Sequence, residues 1–242
     1  RVKLVVTEKN DAAQKIADLL GVKKPKADKV YSTPVYRFDV DGEEWVTIGL
    51  RGHILEPDFT PTMVYKKRGG WQGVTEEGET FPAQLPATLP KPPFKKKKPF
   101  TEDGVELKTW KMDALPYLVY APIKKLPKEK EIIRSLKNLA KKADSIIIAT
   151  DFDREGELIG SDALSCIQEV NPDAPVQRAR YSAFTKEEIT HAFDNLVELD
   201  VNLASAGASR QDIDLIWGAV LTRYLTLVKF AGYGNVRSSG RV

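Results

Sequence analysis

The stretch SIIIATDFDREGE, residues 145–157, joins an almost continuously apolar run to a cluster of acids. The apolar run at 145–150 is typical of a strand that is buried on both faces of a parallel sheet. The acids begin where this predicted strand ends, and open α/β sheets bind their ligands at the carboxyl ends of their strands. The stretch therefore predicts a parallel α/β fold and the place of a site on it.

Four carboxylic acids lie within residues 151–157. Asp151 and Asp153 alternate, so an extended strand end would point both carboxylates the same way. Such neighbours repel one another unless a cation joins them, and hard oxygen donors favour Mg²⁺ over zinc. A simpler explanation is that acids at the start of a helix complement its dipole. That explanation does not account for an Asp-x-Asp on the strand itself.

The start of the chain has a similar arrangement. The sequence VKLVVT at residues 2–7 predicts a strand, Glu8 follows it, and a helical pattern then extends to Gly21. In a parallel sheet the two strand ends can place Glu8 beside Asp151 and Asp153. Taken alone, Glu8 could also be a first-turn acid that complements the helix dipole.

Strands and helices are predicted to alternate along most of the chain. The turn Asp41-Gly42 is a strong hairpin signal between two of the strands. The remaining predicted strands are 35–40, 45–49 and 176–184, and the remaining predicted helices are 128–142, 158–170, 186–195 and about 202–228. This order predicts an α/β domain with a mainly parallel sheet flanked by helices, followed by a mostly helical segment.

Residues 57–122 differ from the rest, because they hold most of the prolines and the lysine run at 95–98. The prolines at 82–99 disfavour a regular helix or a central strand there. We expect a long, partly extended insertion packed by aromatic side chains, namely Trp71, Trp110, Tyr117 and Tyr120. The lysine run is more simply a solvated loop than a phosphate patch, and Trp217 in the last helix is expected to be a core residue.

The composition is that of an ordinary globular protein. Apolar residues make up 42% and charged residues 29% of the chain, which excludes a disordered chain and a disulfide scaffold. The net charge of +3 does not by itself indicate nucleic-acid binding. Cys166 is the single cysteine, which favours a cytoplasmic location. No apolar run approaches the length of a membrane span, so no membrane partner is expected.

Several motifs together resemble the type IA DNA topoisomerases, a family built on the Toprim fold. A strand ending in Glu, and much later a strand ending in Asp-x-Asp, is the Toprim signature, and the Arg-Glu-Gly-Glu extension is similar to that of the topoisomerases. The opening Glu-Lys resembles the archaeal topoisomerase I and topoisomerase III branch. Further matches are Gly52-His53, YSAFTKEEI at 181–189, ASRQDID at 208–214 followed by Trp217-Gly218, and SGRV at 239–242.

The resemblance implies a division of the chain. Residues 1–184 would form a Rossmann-like Toprim domain with the insertion at about 57–122. Residues 185–242 would be the incomplete start of a helical domain that binds single-stranded DNA. The nucleophilic tyrosine of the family lies downstream of the Gly-Arg-Val, so we expect it in a missing C-terminal part. The present chain should then be unable to cleave DNA alone.

The resemblance also implies roles for individual residues. Glu8 would be the acid/base at the 3′-oxygen, and Lys9 would hold the scissile phosphate. Asp151, Asp153 and Glu155 would bind Mg²⁺, with Glu157 and His53 supporting them. The DNA contacts would come from Arg154, which could instead pair with the acids, and from Arg210 and Arg241. Such an enzyme would be cytoplasmic and associated with the nucleoid.

Two other functions fit the same residues less well. A Toprim nuclease or primase-like enzyme would nick DNA with metal and without a tyrosine adduct, but the Arg-Glu-Gly-Glu extension and the helical tail count against it. A non-catalytic nucleic-acid-binding module would use Mg²⁺ only structurally. Its single-strand binding would survive replacement of Glu8.

Overall fold

A computed structural model describes residues 1–230. These residues form two compact units. Unit 1 comprises Arg1–Glu56 and Pro127–Ser209. Unit 2 comprises Pro57–Leu126 and the helical residues from Arg210 onward.

The chain contains twelve strands and six α-helices over the described residues. In chain order they are β1 (Val2–Thr7), α1 (Asn10–Leu20), β2 (Lys26–Val30), β3 (Thr33–Val40), β4 (Glu43–Gly49), β5 (Leu55–Phe59), β6 (Thr62–Lys66), β7 (Gly70–Val74), β8 (Thr80–Pro82), β9 (Gly104–Glu106), α2 (Leu115–Leu118), β10 (Ile123–Pro127), α3 (Lys130–Ala140), β11 (Ser145–Ile148), α4 (Arg154–Gln168), β12 (Val176–Arg178), α5 (Lys186–Asp194) and α6 (Val201–Phe230).

Unit 1 is built on a six-stranded sheet with the order β12-β11-β1-β4-β3-β2. The first four of these strands run parallel, and β3 and β2 continue the sheet in antiparallel fashion. Val6 of β1 is paired with Ile148 on one side and with Ile48 on the other. The first strand in the sequence is therefore a central strand of the sheet.

Helices cover both faces of this sheet. Side chains alternate along β1, so successive residues of this strand enter different cores. Leu4 and Val6 lie in a core that also contains Leu136 of α3 and Ile159 of α4. Val5 points to the opposite core, with α1 and α5 residues such as Ile16 and Ile189. This arrangement confirms the predicted α/β class with a mainly parallel sheet.

The predicted hairpin is confirmed, with β3 and β4 joined through Asp41 and Gly42. Their φ angles of 53° and 82° are the left-handed values that such a tight turn requires. Strand β2 was not predicted. It lies at the sheet edge and is mostly exposed, so its sequence KADKV lacks the apolar alternation by which strands are recognised.

The prediction of a strand over 176–184 was wrong in extent, since β12 ends at Arg178. Residues beyond it are still partly apolar because Ala179 and Tyr181 are buried. They pack as an irregular connection toward α5. A buried connection and a buried strand give the same hydrophobic pattern over so short a range.

Unit 2 has a sheet and a core of its own. The expectation of a long, partly extended insertion did not include this sheet. An antiparallel sheet with the order β8-β7-β6-β9 packs on a cluster that contains Met63, Trp71, Leu107 and Tyr117. Pro82 ends the edge strand β8, which agrees with the exclusion of proline from central strands. Trp71 and Tyr117 are packing residues as predicted, with ring centroids 5.6 Å apart. Tyr120 is exposed.

Helix α6 adds to unit 2 through Ala219 and Val220, which pack against the same cluster. The expectation that Trp217 is a core residue was wrong, because 60% of its side chain is exposed. Arg223 is buried instead and lies over the rings of Phe59 and Trp110. Within residues 1–230, each helix is too short or too polar to span a bilayer.

The close approach of β4 to the start of α1 gives a test of the fold. A Cβ added to Gly49 would lie 2.4 Å from the backbone nitrogen of Asn10. We expect Gly49→Ala to lower the free energy of unfolding by about 1–3 kcal/mol, because backbone must move to accommodate the methyl group. The same change at Gly218, where an added Cβ meets nothing within 4 Å, should be neutral or slightly stabilising. Urea unfolding followed by circular dichroism measures both, and equal effects would contradict this packing.

Candidate active site

The four parallel strands of unit 1 end at one edge of the sheet, and most of the predicted site residues follow these strand ends. Glu8 follows β1, His53 follows β4, and Asp151 follows β11. The register supports this placement, since the Ala149 N–H donates to the Val6 carbonyl at 2.7 Å. The structure therefore brings Glu8 and the acid cluster together, as the parallel arrangement predicted.

Glu8 is half-buried and lies within the field of the acid cluster. Burial is the main cause that raises the pKa of its carboxyl group, and the negative charges of Asp151 and Asp153 raise it further. The Asp151 backbone N–H donates to the carboxylate and, with Lys9, partly opposes this shift. A carboxyl group with a raised pKa is better suited to donating a proton than one with an ordinary pKa.

The backbone of Glu8 is held by the loop after β4. The Gly52 N–H donates to the Glu8 carbonyl at 2.9 Å. Gly52 and the preceding Arg51 have φ angles of 83° and 59°. A left-handed conformation is unfavourable for a residue such as arginine, and such residues cluster at functional sites.

Two of the acids are partly explained by the helix that they begin. Helix α4 begins at Arg154, four residues earlier than predicted, and Asp153 caps it by accepting the Gly156 N–H at 2.7 Å. Glu155 lies in its first turn, where a negative charge complements the dipole. Asp151 lies outside the helix, so neither capping nor the dipole explains it.

A steric constraint explains why residue 156 is a glycine. A Cβ at this position would lie 1.8 Å from the Asp151 carbonyl oxygen. Only glycine allows the first turn of α4 to lie so close to the strand end. This contact fixes the backbone of Asp151 relative to Asp153.

His53 contacts the cluster directly. Its Nε2 lies 2.9 Å from Oε2 of Glu155. The buried Nδ1 of His53 has no hydrogen-bond partner among the described residues. Glu155, a predicted metal ligand, is thus hydrogen-bonded to His53. Asp151 and Asp153 instead raise the pKa of Glu8 through their negative charges.

Sequence reasoning missed the main support of the site, Arg178. This side chain and that of Glu157 are both fully buried, with Nε of Arg178 donating to Oε1 of Glu157 at 2.7 Å. The guanidinium also donates to the carbonyls of Asp151 and Ala179 at 2.8 and 2.7 Å. Glu157 is thus bound to Arg178, a partner that no spacing in the sequence distinguishes from the nearby Arg180.

The cationic residues that are predicted to contact DNA belong to different parts of the chain. Lys9 and Arg154 are exposed, at the N-terminal ends of α1 and α4. Arg210 belongs to unit 2, where it is exposed and lies 3.9 Å from Asp214. Arg241 lies outside the described residues.

Tyr181 lies beside the acids, and its hydroxyl makes a hydrogen bond to the backbone. It donates to the Ala149 carbonyl at 2.7 Å. Burial, together with the charge of Asp151, raises the pKa of this phenol far above its ordinary value. A buried, protonated hydroxyl of this kind supports the fold and does not serve as a nucleophile.

The donors at this edge fit a hard divalent cation in their chemistry, since they are carboxylate oxygens whose mutual repulsion a cation would relieve. These carboxylate groups are, however, widely spaced. Among the described residues, no three acids, histidines or cysteines lie close enough together to hold a metal ion.

Comparison with known proteins identifies the family. The family model of the Toprim domain matches residues 3–184. The chain belongs to the Toprim family. The resemblance to DNA topoisomerases is also confirmed. This Toprim chain is 38% identical to DNA topoisomerase 1 of Archaeoglobus fulgidus over 99% of its own length. It is 30% identical to human DNA topoisomerase 3-alpha over 93% of its length.

The Toprim chain is much shorter than these relatives. It spans 29% of the Archaeoglobus protein and 19% of the human one. Among solved structures, full-length topoisomerase I from Thermotoga maritima matches 98% of the chain with a TM-score of 0.50. At 19% identity this likeness shows the shared fold.

The buried Arg178–Glu157 pair gives a second prediction. Arg178→Met should lower the free energy of unfolding by about 3–5 kcal/mol, because it leaves the Glu157 carboxylate buried without its partner. The matched control is Arg180→Met, two residues away and exposed, which should change it by less than about 0.5 kcal/mol. Chemical unfolding of both variants measures the difference, and similar losses would show that the pair is not the main support.

The electrostatics of Glu8 give a third prediction. Asp151→Asn should lower the pKa of Glu8, since it removes a negative charge that disfavours ionisation. Carbon-detected NMR titration of the side-chain carboxyl measures this directly. Asp28, whose pKa is lowered by its bond with Arg37 at the far end of the sheet, should be unaffected. A Glu8 pKa that stays constant would contradict the close approach of the two acids.

Proposed function

We propose that the chain is the Toprim part of a type IA DNA topoisomerase, an isomerase that cuts one DNA strand, passes another through the break and reseals it. The observation that carries the proposal is the joining of Glu8 to Asp151 and Asp153 at one sheet edge. The similarity to DNA topoisomerases 1 and 3 supports it. We propose that the chain contributes the groups that activate the phosphodiester.

Glu8 is the acid/base in this proposal. Its raised pKa allows it to give a proton to the 3′-oxygen as that oxygen leaves, and to take the proton back on resealing. Lys9, exposed at the start of α1, would hold the scissile phosphate as a point charge. Arg154 would contact the DNA backbone beside it.

Asp151, Asp153 and Glu155 are the proposed Mg²⁺ ligands. When bound, the ion would stabilise the negative charge that develops on the phosphate oxygens. The bond with His53 restricts the position of the Glu155 carboxylate. Arg178 holds the backbone of Asp151 through its carbonyl, which leaves the Asp151 carboxylate available as a ligand.

The other parts of the proposal concern the whole protein. Residues 1–184 with the 57–122 insertion would be the Toprim domain, and 185–242 the start of a helical domain. That domain would bind single-stranded DNA through residues such as Arg210 and Arg241. The nucleophilic tyrosine would lie in a further part of the polypeptide, and the enzyme would act on the cytoplasmic nucleoid.

The first experiment mixes the chain with labelled single-stranded and supercoiled DNA, with and without Mg²⁺. We expect salt-dependent single-strand binding without nicks or covalent adducts, because the proposal places the nucleophilic tyrosine in a further part of the polypeptide. Nicking that requires Mg²⁺ and is lost in Asp151→Ala, but not in the control Asp173→Ala, would instead identify a Toprim nuclease. Single-strand binding without any effect of Mg²⁺ or of the acids would favour a non-catalytic module.

A second experiment places the chain within a full-length topoisomerase. The chain is fused in place of the matching segment of the Archaeoglobus relative, and plasmid relaxation is measured. We expect relaxation that Glu8→Gln reduces by about 100-fold or more, whereas the exposed acid variant Glu187→Gln leaves it unchanged. Circular dichroism and single-strand binding verify the fold of each fusion. Full activity of the Glu8→Gln fusion would contradict the proposed role of Glu8.

A further inference from the structure

An open cleft of about 510 Å³ lies in unit 1 directly beside the acid cluster. It is formed by residues 151–153 together with the connection after β12, which contributes Arg180, Tyr181, Ser182 and Phe184. The proposed chemistry uses the two aspartates and leaves the rest of the cleft unexplained. The unexplained part contains two aromatic rings and a guanidinium.

Both rings are exposed to an extent that packing does not explain. Half of the Phe152 side chain and 37% of the Phe184 side chain are accessible to solvent. Phe152 belongs to neither of the two hydrophobic cores of unit 1. Exposed aromatic side chains that share one cleft are typical of a binding surface.

Each ring carries a cation on one face. The Arg180 guanidinium carbon lies 4.5 Å from the centroid of the Phe152 ring. The Lys15 ammonium lies 5.2 Å from the centroid of the Phe184 ring. A guanidinium stacked on an aromatic ring is a flat, weakly hydrated surface on which another planar group can stack.

The connection that carries these groups is anchored from below. Tyr181 is buried, is bonded to Ala149 and packs on Phe184 with ring centroids 5.2 Å apart. The Ser182 N–H and hydroxyl both contact the Glu188 carboxylate at 3.2 Å. Little further ordering would be needed when a ligand binds.

The charges decide which part of a nucleic acid fits the cleft. Asp151 and Asp153 line it, and they repel a phosphate that is not accompanied by a cation. An uncharged planar group is not repelled, and it gains from aromatic and guanidinium surfaces. Base stacking is how proteins hold unpaired strands without reading their sequence.

We propose that this cleft binds one unpaired nucleobase of the DNA strand, stacked against Phe152 and Arg180 and bordered by Phe184. The inference rests on the proposed function, because it assumes that single-stranded DNA reaches the acid cluster. It adds a base-binding site next to the phosphate that reacts. The site would hold the strand in place and keep it unpaired there.

The test measures binding of fluorescein-labelled oligodeoxynucleotides to the full chain by fluorescence anisotropy, in EDTA at low salt. One strand carries bases, and a second of equal length and charge is abasic. We expect Phe152→Ala and Phe184→Ala each to weaken binding of the first strand by about 5- to 150-fold. Binding of the abasic strand should not change. Phe152→Tyr should retain the wild-type affinity.

Tyr31 provides a matched control. It is 48% exposed, and the Arg134 guanidinium carbon lies 3.8 Å from its ring centroid, but it belongs to the turn between β2 and β3 at the other edge of the sheet. Tyr31→Ala should bind both strands as the wild type does. Circular dichroism shows whether each variant is folded, and Phe184→Ala tests the cleft without altering a neighbour of the aspartates.

The outcomes separate this inference from the proposed function. Wild-type binding that the Phe152 and Phe184 variants leave unchanged would overturn the inference and leave the topoisomerase proposal standing. Equal losses on both strands would also overturn it, since the contact would then be to the backbone. A wild-type chain that binds neither strand would remove the support for both.

Discussion

The candidate site depends on one buried interaction, the ion pair of Arg178 with Glu157. Two charges without access to water are tolerated only when each is fully hydrogen-bonded. Arg178 meets this condition by also binding the carbonyls of Asp151 and Ala179, and Glu157 by accepting the Asp200 N–H at 3.2 Å. The pair thus ties β12, α4 and the strand end that carries Asp151 into one rigid arrangement.

Around this support the site separates two kinds of carboxylate. Glu155 and Asp153 have local partners, namely His53 and the first turn of α4. Asp151 and Glu8 share a backbone hydrogen bond and a mutual repulsion that raises the pKa of Glu8. A carboxyl group of raised pKa beside further carboxylates suits a reaction that needs both a proton donor and a negatively charged cation site.

Much of unit 1 could be predicted because its signals are local. The apolar run at 145–150, the similar run at 2–7 and the Asp41-Gly42 turn each determine one element by its own residues. Parallel pairing then joins Glu8 to Asp151 without further information. Strand β2 pairs with the adjacent β3, but its own residues are mostly polar and exposed. The sheet of unit 2 is completed by the more distant β9, and the burial of Arg178 depends on contacts with the distant segment that carries Asp151 and Glu157. Short polar strands and a buried arginine have no periodicity of their own, so the sequence alone did not distinguish them from loops and surface charge.

The topology also has a consequence for how the protein is made. Lys3 of the central strand pairs with Ser145, and the core of unit 2 around Trp71 is completed by Val220. At a synthesis rate of about 5–20 residues per second, the ribosome needs on the order of 10 s to deliver such a partner. Until then β1 has an unpaired edge, and the core of unit 2 lacks the contacts that α6 provides. The nascent chain thus passes through a period of exposure to aggregation that ends only when α6 has been synthesised.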